Sequence, residues 1–460
     1  MRIDAMMKRM KKIAILGFGR EGKSVLKFIM RAPEFRGAEI WVLDKSAGIK
    51  LPRGVRTRTG KKYLSGLDSF NVVFRSPGIP YYTPEIQKAL HAGTEISSAT
   101  KLFFNEIGNM QRPPLVIGVT GTKGKGTACT LLYNMLRAAH RNAVLGGNIG
   151  TSPLALLPKL GKKQMSGKAR RGASGRNRGG TRPIVILELS SFQLQDLATA
   201  PDIAVVLDVF PDHQDAHKNL KEYYDAKANL ARFQKPPQRV FFFGNNPMSA
   251  RAAAGHGEKI AVDEKRSRFF TPEDIAMPGL HNFKNAVMAA TVARSLGVSK
   301  PAILRAAERF RGNVHRLEFV KRVGNTRFYN DSASTNPHTS AAAVAAFPGG
   351  ATILIAGGKD KNLDYAPLAK ALKKSRTAGV VLCGENKKKI FGAIKNSGVP
   401  IALTRDLPSA VRLASRSAKA LSTPARPAVV LFSPGATSFD MFTDYAARGA
   451  QFKTLVKKLK

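Results

Sequence analysis

The run LVIGVTGTKGKGTACTLLYNMLRAA, residues 115–139, limits the possible folds more than any other stretch. An apolar, β-branched segment leads into a glycine-rich turn, and apolar residues then recur at helical spacing. A strand, a glycine loop and a helix in that order belong to a parallel α/β sheet, with the loop at the strand's carboxyl end. The spelling is unusual. In the common phosphate loop, G-x-x-x-x-G-K-[ST], a glycine stands where this chain has Val119, and no residue separates lysine from threonine. Here Gly126 lies between Lys125 and Thr127. The chemistry survives that change. The amides of Gly121, Thr122, Lys123, Gly124, Lys125, Gly126 and Thr127 can wrap a nucleotide phosphate chain. Lys125 can balance its charge, and the Thr127 hydroxyl can ligate Mg²⁺.

The same alternation extends in both directions. Upstream, KKIAILGFG reads as a strand entering a glycine turn, REGKSVLKFIMRA as a helix, and EIWVLD as a strand ending at Asp44. Gly17, Gly19 and Gly22 spell G-x-G-x-x-G in the context that lets backbone approach a phosphate at a helix N-terminus. Downstream, PIVILELS, IAVVLDVF and RVFFFGN read as buried parallel strands, with helical YYDAKANLARF between the last two. RFYNDSAST, ATILIAGGKDK, GVVLCGE and AVVLFSPGATS follow as strands ending in glycine or serine turns. The expected architecture is α/β with three domains. These are a Rossmann-like N-terminal domain (1–112), a central parallel-sheet domain built on the phosphate loop (113–313), and a C-terminal Rossmann-like domain (314–460).

Composition narrows the class. The two cysteines, Cys129 and Cys383, fit a reducing cytosol and not a disulfide scaffold. No apolar run approaches the ~18 residues of a membrane span, so a cytoplasmic protein is expected. The 75 Lys plus Arg against 31 Asp plus Glu give a formal charge of +44. Such an excess fits polyanionic partners or a generally basic proteome. The basic residues are spread along the chain, so nucleic-acid binding is not expected. One segment, 159–182, concentrates nine Lys or Arg with no acid among Gly and Ser, and reads as a solvated surface insertion.

Other candidates sit at strand ends. Glu188 closes PIVILE beside the phosphate loop, where a carboxylate suits Mg²⁺. Asp208, Asp212, His213, Asp215 and His217 crowd into one segment. Read alone, that cluster also suits a metal-dependent hydrolase, while a lone member such as His217 reads as solvated. Lys227, polar in an otherwise apolar helix, reads locally as a solvated lysine. Further on, Arg316, Asp331, Lys359, Lys361, Ser433 and Ser438 supply cations and hydroxyls that suit a carboxylated, phosphorylated intermediate.

Taken together and in this order, GFGREGKS, SPGIP, TGTKGKGT, GGNIG, LELSSFQL, DH, AKANL, LHNFKNA, HRLE, NDSAST, GGKDK and SPGATSFD resemble the Mur ligase family over nearly the whole chain. The resemblance accounts for the loop spelling, which is the family's own. It implies an ATP-dependent ligase that activates a carboxylate as an acyl phosphate, with two Mg²⁺ ions offsetting charge. The implied substrates are UDP-N-acetylmuramoyl-L-alanine and D-glutamate, with no obligate protein partner. Lys125 and Thr127 would hold ATP and Mg²⁺, and Glu188 and His213 would be metal-associated. Lys227 would be carbamylated and serve the second ion, which reverses its local reading. Asn282 and Asn285 would lie near adenine, and Arg316 and Asp331 would contact ATP. Asn148 would touch the muramoyl group. Lys361, Ser438 and Tyr445 would bind the incoming amino acid. Gly19, Arg20, Glu21, Gly22, Asp44 and Ser76 would hold the uridine diphosphate. Three positions depart from the family's pattern: Ala333 replaces a lysine, Asp208 an asparagine and Pro211 an acidic residue. Lys123 and Lys359 are the candidate sources of the missing cation.

Overall fold

The computed structural model describes residues 12–160, 182–212, 217–275, 277–349 and 351–460. His213 and Asp215 therefore lie outside the described residues, as does nearly all of the basic segment. The chain forms two compact units, Met1–Ser267 with Val287–Ile303, and Arg268–Ala286 with Leu304–Lys460.

The first unit contains two parallel sheets. One is built from β1 (Lys12–Leu16), β2 (Glu39–Asp44), β3 (Arg56–Thr59), β4 (Val72–Arg75) and β5 (Glu95–Ser97), in the order β3-β2-β1-β4-β5. The other uses β6 (Leu115–Thr120), β7 (Ala143–Gly147), β8 (Ile184–Glu188), β9 (Ile203–Val206), β10 (Arg239–Phe243) and β11 (Glu258–Val262), in the order β11-β10-β9-β6-β8-β7. The phosphate-loop strand β6 is central, between β9 and β8. Strand β6 is almost fully buried, as a parallel strand covered on both faces must be.

The second unit contains one sheet, β12 (Glu318–Val323), β13 (Thr326–Asn330), β14 (Thr352–Ala356), β15 (Thr377–Leu382), β16 (Ile401–Leu403) and β17 (Ala428–Phe432), in the order β12-β13-β17-β14-β15-β16. All pairings are parallel except β12 with β13, a hairpin whose tight turn uses Gly324 at φ +54°. Two apolar clusters cover the sheet's two faces, one around Phe432 and Phe452, the other around Leu354 and Leu431. Among the described residues, no helix is long and apolar enough to cross a membrane.

Candidate active site

The phosphate loop leaves β6 at Thr120 and enters helix α1 (Lys125–Ala138). Two glycines are required by geometry. Gly121 adopts φ +151°, and a Cβ there would meet Leu207 Cβ at 2.7 Å. Gly124 caps α1 in the left-handed region at φ +81°. The loop is tied to the neighbouring strand end, since Thr122 N donates to Asp208 O at 2.9 Å and Phe210 N donates to Thr122 Oγ1 at 2.9 Å. Lys125 Nζ donates to the carbonyls of Gly121 (2.8 Å) and Thr122 (3.0 Å), while Lys123 points to solvent. Thr127 stands in the first turn of α1, beside the exposed amides of the helix start.

Behind this loop lies helix α2 (Leu220–Arg232), which presents Lys227. Its side chain is not solvated, contrary to the local reading: the residue is 1% exposed. Lys227 Nζ donates to Gly121 O at 2.9 Å and stands 4.6 Å from the Tyr223 ring centroid. Burial, then the charge of Lys125, holds the amine well below the ordinary lysine range. Tyr223 reaches Thr122 Oγ1 with its hydroxyl at 2.8 Å, so α2 braces the loop from beneath.

Glu188, buried at the end of β8, accepts from Asn148 Nδ2 at 2.8 Å. The GGNIG turn that carries Asn148 presses onto the same strand end, and Asn148 N donates to Glu188 O at 2.8 Å. A Cβ on Gly147 would fall 2.2 Å from that carbonyl, so only glycine permits this approach.

His217 also departs from the local reading. It is buried, with Nδ1 against the Glu222 carboxylate and Nε2 at 2.9 Å from Ser191 Oγ. It thereby fastens the turn after Glu188 to the helix carrying Lys227. Histidine–glutamate spacing of five residues was the available signal, but nothing local marks Ser191 as the third member. Among the described residues, no group of three His, Cys, Asp or Glu could hold a metal by itself. The donors present are a hydroxyl (Thr127), a carboxylate (Glu188) and a buried, weakly basic amine (Lys227). The two oxygen donors, Thr127 and Glu188, fit Mg²⁺, which keeps waters and phosphate oxygens in its shell.

At the first sheet, Gly17 sits at φ +88°, and Ser76 Oγ donates to its carbonyl at 2.7 Å. Gly22 allows helix α3 (Arg20–Ile29) to start directly against the turn, since a Cβ there would meet Gly17 O at 2.1 Å. Asp44 accepts from Phe18 N (2.7 Å) and Ser46 N (2.8 Å). Partial burial works to raise its pKa, but these bonds outweigh it and hold the carboxyl below the usual range. Gly19 caps α3 with open space around it. Glu21 is buried and accepts from Gln193 Nε2 at 2.7 Å; desolvation, opposed by that bond, pushes it up to about 7.

In the second unit, Asp331 follows β13. It accepts from Ser334 Oγ at 2.5 Å, Ser433 Oγ at 2.7 Å and Leu317 N at 3.1 Å. Desolvation pushes it up to about 6 against these donors. The segment with Arg316 is strained on both sides of that residue, His315 at φ +64° and Leu317 at φ +43°. Such conformations cost free energy and persist where surrounding bonds impose them. Here the Leu317 amide bond to Asp331 and an Asn330 Nδ2 bond to His315 Nδ1 (2.9 Å) do so. Arg316 itself is exposed. Lys361 Nζ lies 5.6 Å from the Phe439 ring, beside buried Ser438, and Tyr445 stands 46% exposed at the start of helix α4 (Tyr445–Lys457). Lys359 is paired with Glu385 at 2.6 Å. Asn282 and Asn285 are buried near the start of helix α5 (Leu280–Ser295), with Asn282 Nδ2 donating to Pro278 O at 2.7 Å.

A glycine loop at a central strand end, a lysine in that loop and a buried, depressed-basicity lysine behind it define an α/β enzyme that handles nucleotide phosphates. The chain belongs to the Mur ligase family. It matches the MurD-like N-terminal domain of Mur ligases over residues 11–98, the Mur ligase middle domain over 119–268 and the Mur ligase glutamate ligase domain over 315–434. It is 32% identical to the UDP-N-acetylmuramoylalanine–D-glutamate ligase of Acetivibrio thermocellus, over 98% of this chain and 97% of that protein. It is 31% identical to the enzyme of the same name from Symbiobacterium thermophilum, over 98% and 99%. Among solved structures, it shares its fold with the MurF ligase of Thermotoga maritima in complex with ADP, at 16% identity, a TM-score of 0.55 and full coverage of both chains.

Proposed function

We propose that this protein joins D-glutamate to UDP-N-acetylmuramoyl-L-alanine, at the cost of ATP, in cytoplasmic synthesis of the peptidoglycan precursor. The name of its full-length relatives supports the amino acid. The observation that carries the chemistry is the convergence of Lys125 and Lys227 on the Gly121 carbonyl, beside a phosphate-type loop. The reaction runs in two displacements. The alanyl carboxylate attacks the γ-phosphorus, giving an acyl phosphate and ADP. The amine of D-glutamate then adds to the acyl carbon, loses a proton, and phosphate departs as the amide forms.

In this reading the division of labour follows the three domains, 1–112, 113–313 and 314–460. Gly19, Gly22, Asp44 and Ser76, with the backbone of Arg20 and Glu21, hold the uridine diphosphate, and Asn148 orients the muramoyl end. The amides of Gly121–Thr127 and the Lys125 ammonium position the phosphates, where oriented donors stabilise charge as it develops. Asn282 and Asn285 serve the adenine, and Arg316 and Asp331 the phosphate side. Lys361, Ser438 and Tyr445 receive D-glutamate. Thr127, Glu188, His213 and Lys227 would hold Mg²⁺, which supplies charge neutralisation between the two anionic substrates. Burial pushes the Lys227 amine toward its unprotonated form, the form that attacks CO₂, so Lys227 is suited to carbamylation.

The test is phosphate release from ATP with UDP-N-acetylmuramoyl-L-alanine and, side by side, D-glutamate, L-alanine, L-lysine or diaminopimelate. Turnover is expected with D-glutamate. Turnover with another amino acid and none with D-glutamate would overturn the assignment.

A further inference from the structure

The resemblance places Arg20 among the diphosphate ligands, yet its side chain is committed elsewhere. Arg20 Nη1 donates to Gly150 O at 2.9 Å, and Nη2 donates to Asn148 O at 2.7 Å and Gly147 O at 3.2 Å. Three carbonyls of a single tight turn thus point at one guanidinium. Without a cation, those dipoles would face each other and water. At its far end the turn has little rigidity of its own, because Gly150 (φ +61°) has open space around it, while Gly147 (φ +104°) is held by its pairing with Glu188. Its other ties are Gly147 N to Thr151 O and Asn148 N to Glu188 O, both 2.8 Å. The turn's one polar side chain is Asn148, which donates to Glu188 Oε1.

We infer that Arg20 is a positioning residue for ligation. By gathering the carbonyls of the Gly147–Gly150 turn, it keeps Asn148 on Glu188 and links the glycine turn of the first sheet to the carboxylate of the second. Its neighbour Glu21 makes a parallel tie, accepting from Gln193 in the short helix that follows Glu188. Two consecutive residues of the glycine turn therefore grip the two segments flanking Glu188. The functional part of the inference rests on the proposed ligase reading; the structural part does not.

Two measurements test it. Hydrogen exchange on the ligand-free protein reads the turn directly. Arg20→Ala is expected to speed amide exchange across residues 147–151 about tenfold or more, and unchanged exchange would overturn the inference whatever the substrate. In steady state, Arg20→Ala should lower kcat about tenfold while KM for UDP-N-acetylmuramoyl-L-alanine stays within about threefold. A tenfold rise in that KM at unchanged kcat would instead make Arg20 a diphosphate ligand. In an Asn148→Ala background the kcat cost should shrink to about twofold or less, and an undiminished cost would sink the link to Asn148. Arg20→Lys should restore part of the rate. Should Arg20→Ala not fold, Arg20→Gln, which keeps a donor but loses the fork, carries the same comparisons. If wild type is silent with D-glutamate, the ligase reading has failed, and the exchange experiment still decides the role of Arg20.

Discussion

The two strand-end sites bury titratable groups of opposite kind, one basic and one acidic. Beneath the phosphate loop, Lys227 is surrounded by acceptors, with the Gly121 carbonyl and the Tyr223 face on it and Lys125 alongside. After β13, Asp331 is surrounded by donors, the hydroxyls of Ser334 and Ser433 and the amide of Leu317. Both turns lie at the carboxyl ends of parallel strands, where α/β sheets place their chemistry. Topology therefore fixes where the site is, and the local supply of carbonyls or hydroxyls decides which charge can be buried there. In both cases burial pushes the group toward its neutral form, so pH should act on the two sites in opposite senses.

The largest effect should come from Lys125→Ala. If Lys125 faces the developing charge as proposed, its removal should lower ATP turnover ~10²–10³-fold, with circular dichroism unchanged. A variant with full activity would end the proposed role of the loop. Lys227→Met separates activity from stability. The folded lysine binds its proton less readily than the unfolded one, so wild-type stability should climb as pH rises from the depressed folded value toward 10.5. The methionine variant should lose that climb, melt higher at pH 7 and have little activity. Asp331→Asn should show the mirror image. Its folded value of about 6 exceeds the ordinary 3.8, so the native state holds the proton more tightly. Wild type should lose stability between about pH 4 and pH 6, by at most about 3 kcal/mol, and then level off. Melting curves of the asparagine variant that kept the same decline would assign it elsewhere. The smallest effect belongs to Lys123→Ala. An exposed lysine contributes on the order of 1 kcal/mol or less, so turnover should fall about threefold. A hundredfold loss would identify Lys123 as the cation that replaces the lysine absent at Ala333.

Much of this contrast was legible in the chain. The strands that carry the candidate site residues are apolar runs ending in glycine, serine or acid, and their helices show clear periodicity. Among the strands that escaped reading, three carry other signals. RTRT at 56–59 is polar because it lies at a sheet edge, and AVLGG at 143–147 carries glycines demanded by its contact with Glu188. The antiparallel β12 is half-buried and mixed in composition. Burial of Lys227 could not be read locally, since a lysine among Ala and Asn in a helix is usually solvated. What buries it is the phosphate loop, 106 residues earlier in the chain. His217 was missed for the same reason, its partner Ser191 coming from a different segment.

The Gly121 carbonyl accepts from both Lys125 and Lys227. It is thus an internal rival of any phosphate that enters the loop. If Lys125 serves the phosphates as proposed, an arriving anion would have to draw it away from the Gly121 and Thr122 carbonyls, which would trim ground-state affinity. The Gly121 oxygen would then take the ammonium back when the product leaves. Interactions that are weaker at rest than in the transition state raise turnover and not mere retention. A single backbone oxygen would in this way keep the nucleotide exchangeable, a property that no substitution of side chains at position 121 could supply.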